Sequence, residues 1–200
     1  MTPTAGHSAA VWTVANVVTV LRFLLAPLVI VLVAEVGPNW GLFVFFALLA
    51  GSDLLDGYLA RRTGPSRAGA FLDPLADKVL VLGTMFALVA WGSFSWLPVT
   101  IIAVREVAIS VYRSLVGRHG VSVPARPLAK LKTFCQALAA GFALMPPVAS
   151  DVSWLPIGVL WLAVVLTVVS GAQYLLEARG VADAHAPSGL RVDEGGRGSR

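Results

Sequence analysis

Six long apolar runs, separated by short polar connections, leave this chain few ways to fold. They cover about Val11–Ala34, Trp40–Leu59, Gly69–Trp91, Leu97–Val116, Lys130–Met145 and Trp154–Leu176. A helix needs roughly 20 apolar residues to cross a bilayer, and the runs approach that length, the fifth being short. Of the 200 residues, 57% are hydrophobic and 13% charged, whereas a soluble domain carries about 25% charged residues. The expectation is an all-α integral membrane protein with six transmembrane helices. Residues 1–10, small and polar, read as a flexible N-terminus, 11–178 as the membrane domain, and 179–200, rich in Gly, Ser and charge, as a disordered tail. The first ten residues lack a basic stretch and no small-residue cleavage site follows the first run, so no removable signal is expected.

Charge is sorted by loop. The connections after the first, third and fifth runs contain no Lys or Arg. Those after the second, fourth and sixth hold Arg61, Arg62 and Arg67, then Arg118, Arg126 and Lys130, then Arg179 and the arginines of the tail. Basic loops stay on the cytoplasmic side. Both termini are therefore expected in the cytoplasm of a multi-pass cell-membrane protein. The same sorting accounts for the net charge of +4 without a nucleic-acid partner. Trp91 and Trp96 flank the turn Gly92–Ser95 and suit an interfacial belt. Cys135 is the only cysteine, which excludes an intramolecular disulfide and reads as a packed thiol.

The chemistry gathers between the second and third runs. Asp53 and Asp56 stand three apart near the end of one, and Asp73 and Asp77 four apart near the start of the next. On helices those spacings put each pair on one face. Arg61–Arg67, polar and containing Gly64-Pro65, reads as the loop between them. Four carboxylates brought that close repel one another unless a cation sits among them. Oxygen-only ligands suit Mg²⁺ or Mn²⁺, one ion or two. Ion-binding acids of a transporter would instead lie near mid-span on broken helices.

The stretch from Asp53 to Asp77 resembles the D-x-x-D-G-x-x-A-R-x₈-G-x-x-x-D-x-x-x-D motif of the CDP-alcohol phosphotransferase family. Here it reads Asp53, Asp56-Gly57, Ala60-Arg61, Gly69, Asp73 and Asp77, with seven residues between Arg61 and Gly69 where eight are usual. The resemblance implies a two-metal active site at the cytoplasmic ends of helices 2 and 3. It implies Asp53, Asp56, Asp73 and Asp77 as metal ligands, Asp77 also as the catalytic base, and a homodimer. It further implies CDP-diacylglycerol contacts from Gly57, Arg61, Ser66 and Gly69. Asn16, Thr19 and Arg22 resemble the family's N-x-x-T-x-x-R start of the first span, which adds Asn16 and Thr19 to the nucleotide side; an N-cap would equally explain Asn16.

Arg105-Glu106 lies inside the fourth run, where charges are costly, usually functional and commonly paired. Lys130 and Lys132 open the fifth run on the aspartate side, where anchoring at the membrane surface would also explain them. The sequences VREVAIS and AKLKT resemble the phosphatidylglycerophosphate synthase branch of the family, with Ala129 where Gly is usual. Arg105, Arg118, Lys130 and Lys132 would suit an acceptor alcohol carrying its own phosphate, such as glycerol 3-phosphate. The expected reaction moves a phosphatidyl group from CDP-diacylglycerol, drawn from membrane lipid, to that alcohol. The alternatives are phosphatidylglycerol as acceptor, as in a cardiolipin synthase, or an inositol phosphate.

Overall fold

The computed structural model describes the backbone of residues 14–63, 67–117 and 127–184, and side chains within 17–52, 75–112 and 130–173. Among the described residues there is no strand. The order is α1 (Val14–Val36), α2 (Trp40–Thr63), α3 (Arg67–Trp91), α4 (Trp96–Gly117), α5 (Pro127–Leu144), the short α6 (Pro146–Asp151) and α7 (Trp154–Ala184). Their boundaries follow local chemistry. The Asn39 Oδ1 accepts from the Leu42 N–H at 2.9 Å and so caps α2. Proline begins α5 and α6, where its missing N–H costs nothing. Gly37, at φ +75°, ends α1 against Trp91, and a Cβ there would stand 2.2 Å from the indole. Only glycine fits both the conformation and the contact.

Six of these helices overlie the six apolar runs, with three differences. Arg61–Thr63 and Arg67, read as loop, are helical, which leaves residues 64–66 between α2 and α3. Leu59 to Thr63 contains no helix breaker before Gly64-Pro65, so α2 has no reason to stop sooner. The helix α6 forms in the connection after the fifth run, because Pro146 and Pro147 can open a helix as well as close one. Finally, α7 runs on to Ala184, into the stretch read as tail; that segment is alanine-rich and meets no proline before Pro187.

Two pairs of helices carry most of the packing, α1 on α3 and α5 on α7, with α2 and α4 joining them. Gly83 lets α1 and α3 approach: a Cβ there would meet the Ile30 Cδ1 at 2.2 Å. Small residues at such crossings hold membrane helices together by close contact, since lipid removes the usual hydrophobic drive. The outward faces are strongly apolar, including Leu24, Leu48, Val104 and Phe134, a surface that water would not tolerate over so wide an area. Val17–Val36 and Trp154–Gln173 are, among the described residues, the two stretches long and apolar enough to cross a membrane by that measure alone. Trp40, Trp91, Trp96 and Trp154 are exposed at helix ends on one side of the bundle, the side away from the aspartates.

Along α1, α4, α5 and α7 the buried face changes character from the tryptophan end to the aspartate end. On α1 it passes from Val33, Val29 and Ala26 to Arg22 and Thr19, at helical spacing throughout. On α4 it passes from Val99 and Ile102 to Glu106, on α5 from Leu144 and Ala140 to Gln136 and Lys132, and on α7 from Leu160 and Ala163 to Thr167 and Ser170. Among the described residues, the buried polar and charged side chains of these four helices gather toward the aspartate end, and hydrocarbon fills the tryptophan end.

Candidate active site

The four aspartates lie at the polar end. Asp53 and Asp56 are in the last turns of α2, and Asp73 and Asp77 in the first turns of α3. These ends are joined by residues 64–66 alone and the two helices pack together. Asp77 is half-buried; the side chains of Asp53, Asp56 and Asp73 lie outside the described residues, as do those of Asn16, Gly57, Arg61 and Gly69. Ser66 and Arg118 lie outside them altogether. Four oxygen donors on two adjoining helix ends are a donor set that fits hard divalent cations such as Mg²⁺ or Mn²⁺.

Beside the Asp53 end, α1 contributes a guanidinium that has no access to water. The Arg22 Nε and Nη2 donate to the Ser52 Oγ at 3.2 and 2.8 Å. The Ser52 hydroxyl in turn donates to the Leu49 carbonyl at 2.8 Å. Arg22 is 0% exposed, and a charge buried so far persists only where hydrogen bonds and nearby charge compensate it. The result ties α1 to the residue that directly precedes Asp53. Thr19, one turn nearer the N-terminus on the same face, is buried too.

A second cluster, which the residue after Asp77 joins, forms around Glu106. The Arg105 Nη1 donates to its Oε1 at 3.1 Å, and the Lys132 Nζ donates to the same oxygen. The Lys78 Nζ stands 3.8 Å from the Oε2 and donates to the Ser110 Oγ. Ser110, one turn after Glu106 on α4, donates to the Glu106 carbonyl at 2.6 Å. The Arg105 Nη2 reaches α7 and donates to the Ser170 Oγ at 2.9 Å. One carboxylate thus gathers cations from α3, α4 and α5 and, through Arg105, holds α7. Close by, the Gln136 Nε2 donates to the Thr167 Oγ1 at 3.3 Å. Gly171 lets the Arg105 stem pass, since a Cβ there would stand 3.1 Å from its Nε.

Of the residues read from the sequence as holding an acceptor phosphate, the structure brings Arg105 and Lys132 together. Lys130 is exposed on the outer side of α5 and is not among the cations on Glu106. Lys78, Ser110, Ser170 and the contact between Arg22 and Ser52 were not read as parts of a site. A partial signal existed: Arg22 and Glu106 both fall on an apolar helical face, and Ser110 follows Glu106 by one turn. Lys78 follows Asp77 directly, but which neighbouring helix it reaches depends on how α3 and α4 pack.

The chain is similar in sequence to known proteins over most of its length. The family model described as CDP-alcohol phosphatidyltransferase matches residues 12–169. A CDP-diacylglycerol--glycerol-3-phosphate 3-phosphatidyltransferase of Pseudomonas fluorescens is 38% identical over 174 residues, covering 82% of this chain and 88% of its own. A probable phosphatidylglycerophosphate synthase of Mycobacterium tuberculosis is 34% identical over 170 residues, covering 82% of this chain and 80% of its own. A further CDP-diacylglycerol--glycerol-3-phosphate 3-phosphatidyltransferase, from Cereibacter sphaeroides, is 30% identical over 211 residues, covering 84% and 96%.

Proposed function

Because the chain belongs to the CDP-alcohol phosphatidyltransferase family, we propose that it is the membrane enzyme that transfers a phosphatidyl group from CDP-diacylglycerol to glycerol 3-phosphate, giving phosphatidylglycerophosphate and CMP. The observation that carries the choice of acceptor is the cluster of Lys78, Arg105 and Lys132 on Glu106, at the same end of the bundle as the aspartate-bearing helix ends. A donor carrying a diphosphate and an acceptor carrying a phosphate need cations on both sides of the reacting phosphorus, and fixed cations suit phosphate recognition. The names carried by the relatives at 30–38% identity point to the same pair of substrates.

In the reaction a hydroxyl oxygen of the acceptor attacks the phosphorus that bears the diacylglycerol. A new P–O bond forms as the P–O bond to CMP breaks, and the hydroxyl proton leaves. Asp77 takes that proton, a role that asks first for reach and then for a suitable pKa. Asp53, Asp56, Asp73 and Asp77 hold one or two divalent ions, whose chemistry would be to neutralise charge on the diphosphate and the leaving CMP. Asn16, Thr19, Gly57, Arg61, Ser66 and Gly69 line the nucleotide side. Six helices cross the membrane, with the aspartates and both termini in the cytoplasm, in keeping with basic residues confined to alternate loops. Placed there, the acyl chains of the donor stay in lipid while its diphosphate reaches the polar end of the bundle.

The test is an acceptor panel. Purified protein receives labelled CDP-diacylglycerol, Mg²⁺ or Mn²⁺, and glycerol 3-phosphate, phosphatidylglycerol or inositol phosphate in turn. Glycerol 3-phosphate should release CMP fastest, and excess chelator should stop release until metal is restored. Turnover with phosphatidylglycerol alone would make the protein a cardiolipin synthase; full activity in chelator would end the metal assignment.

A further inference from the structure

The motif that names the active site ends at Asp77, and the next residue has no part in it. Lys78 nevertheless reaches α4, where its ammonium donates to the Ser110 hydroxyl and stands 3.8 Å from the Glu106 Oε2. Its surroundings are graded. The side chain of Lys132 is 5% exposed, that of Glu106 8%, that of Arg105 16% and that of Lys78 34%. Lys132 and Glu106 therefore form the floor of the cluster, and Lys78 stands at its open edge.

A purely structural ion pair needs one cation for one carboxylate. Here a single carboxylate draws together three, from three helices, in a region where each buried charge is costly. Such an arrangement is well made for holding the cations at fixed spacing so that a further anion can enter among them. Glu106 itself is too buried to meet a ligand freely, so it acts through the cations that it holds. Lys78 joins this cluster from the residue next to the catalytic base, on the same helix.

Resting on the reading of glycerol 3-phosphate as acceptor, we propose that Lys78 is a further ligand of the acceptor phosphate, and that Glu106 is the positioning residue that aims Lys78, Arg105 and Lys132 at it. Neither residue belongs to the aspartate motif. Lys78 would bind the phosphate at the open edge while Asp77, one position earlier, receives the proton from the same molecule's hydroxyl. The aspartate pair and the phosphate seat would then be joined through the first turns of α3.

The experiment uses the full chain in detergent with saturating Mg²⁺, and determines KM for glycerol 3-phosphate and for CDP-diacylglycerol separately. Losing one charge-assisted hydrogen bond to a phosphate corresponds to about 10–100-fold in binding. Lys78→Met should raise the glycerol 3-phosphate KM by that order and leave the CDP-diacylglycerol KM within about twofold on the same arithmetic. Lys78→Arg, which keeps the charge, should recover most of the loss. Glu106→Gln should likewise raise the acceptor KM more than the donor KM. Should Glu106→Gln fail to fold, Lys78→Met still decides the matter, since Lys78 is the most exposed of the four side chains. Equal rises in both KM values, no rise at all, or an Arg variant as poor as the Met variant would overturn the proposal. A wild-type enzyme with no turnover of glycerol 3-phosphate would instead remove the reading on which the proposal rests.

Discussion

Replacing Ser52 with alanine tests whether the buried guanidinium of α1 positions the aspartate end of α2. The Ser52 Oγ accepts from the Arg22 Nε at 3.2 Å and from the Nη2 at 2.8 Å, and Arg22 is 0% exposed. Hydrogen bonds to charged groups contribute about 1.5–3 kcal/mol. Between membrane helices, double-mutant cycles average roughly 0.6 kcal/mol and reach about 1.7. Arg22 makes further interactions that remain in the variant, and alanine is the better helix former by a few tenths of a kcal/mol or so. Together these place the loss on the order of 1–2 kcal/mol, about five- to thirtyfold in the unfolding equilibrium. Equilibrium unfolding in mixed micelles should show this loss for Ser52→Ala and a smaller one for Ser52→Thr, which keeps the hydroxyl. Because Ser52 directly precedes Asp53, the Mg²⁺ concentration for half-maximal CMP release should rise in the alanine variant and much less in the threonine one. An alanine variant as stable as wild type, with an unchanged metal requirement, would refute the idea that Arg22 sets the position of α2.

Three other outcomes are expected. Asp77→Asn keeps the shape and removes the basicity, so turnover should fall about 10²–10⁴-fold while CDP-diacylglycerol still binds with metal; wild-type turnover at saturating glycerol 3-phosphate would take Asp77 out of the mechanism. Binding must be measured apart from kinetics, because KM equals a dissociation constant only when chemistry is slow. Gly83→Ala would place a Cβ 2.2 Å from the Ile30 Cδ1 and 2.8 Å from its Cγ1, so thermal unfolding should show a loss of about 1–3 kcal/mol. Adding Ile30→Ala, which removes both atoms, should give back much of the overpacking cost, and strict additivity of the two changes would contradict the contact. For topology, cysteines at Ser93 and Ser150, in a background lacking Cys135, should react with an impermeant reagent from outside intact cells and one at Ser66 only after permeabilisation; external labelling of Ser66 would invert the membrane orientation.

Much of this protein was legible before any coordinates. The apolar runs marked helices at α1 to α5 and α7 because a period-free stretch of that length has no other way to satisfy its backbone in lipid. The aspartate spacings placed each pair on a helix, since i, i+3 and i, i+4 residues share a helix face whatever surrounds them, and all four positions do fall near the adjoining ends of α2 and α3. Helix ends were less legible, as Arg61–Thr63 and α7 beyond residue 178 show. Boundaries depend on breakers and caps, and Leu59 to Thr63 carries none.

Only the tertiary structure decided what the isolated charges do. Nothing in the chain order says that Arg22 meets Ser52, 30 residues on, or that Lys78 and Lys132 meet on Glu106. Sequence spacing shows that Arg22 and Glu106 interrupt apolar faces; it does not show which helix lies opposite. The partner of a buried charge is chosen by which helices pack together and at what height, and close approaches such as Gly83 on Ile30 and Gly171 on Arg105 set that height. Local periodicity is a property of one segment, whereas a charge cluster drawn from three helices is a property of their packing.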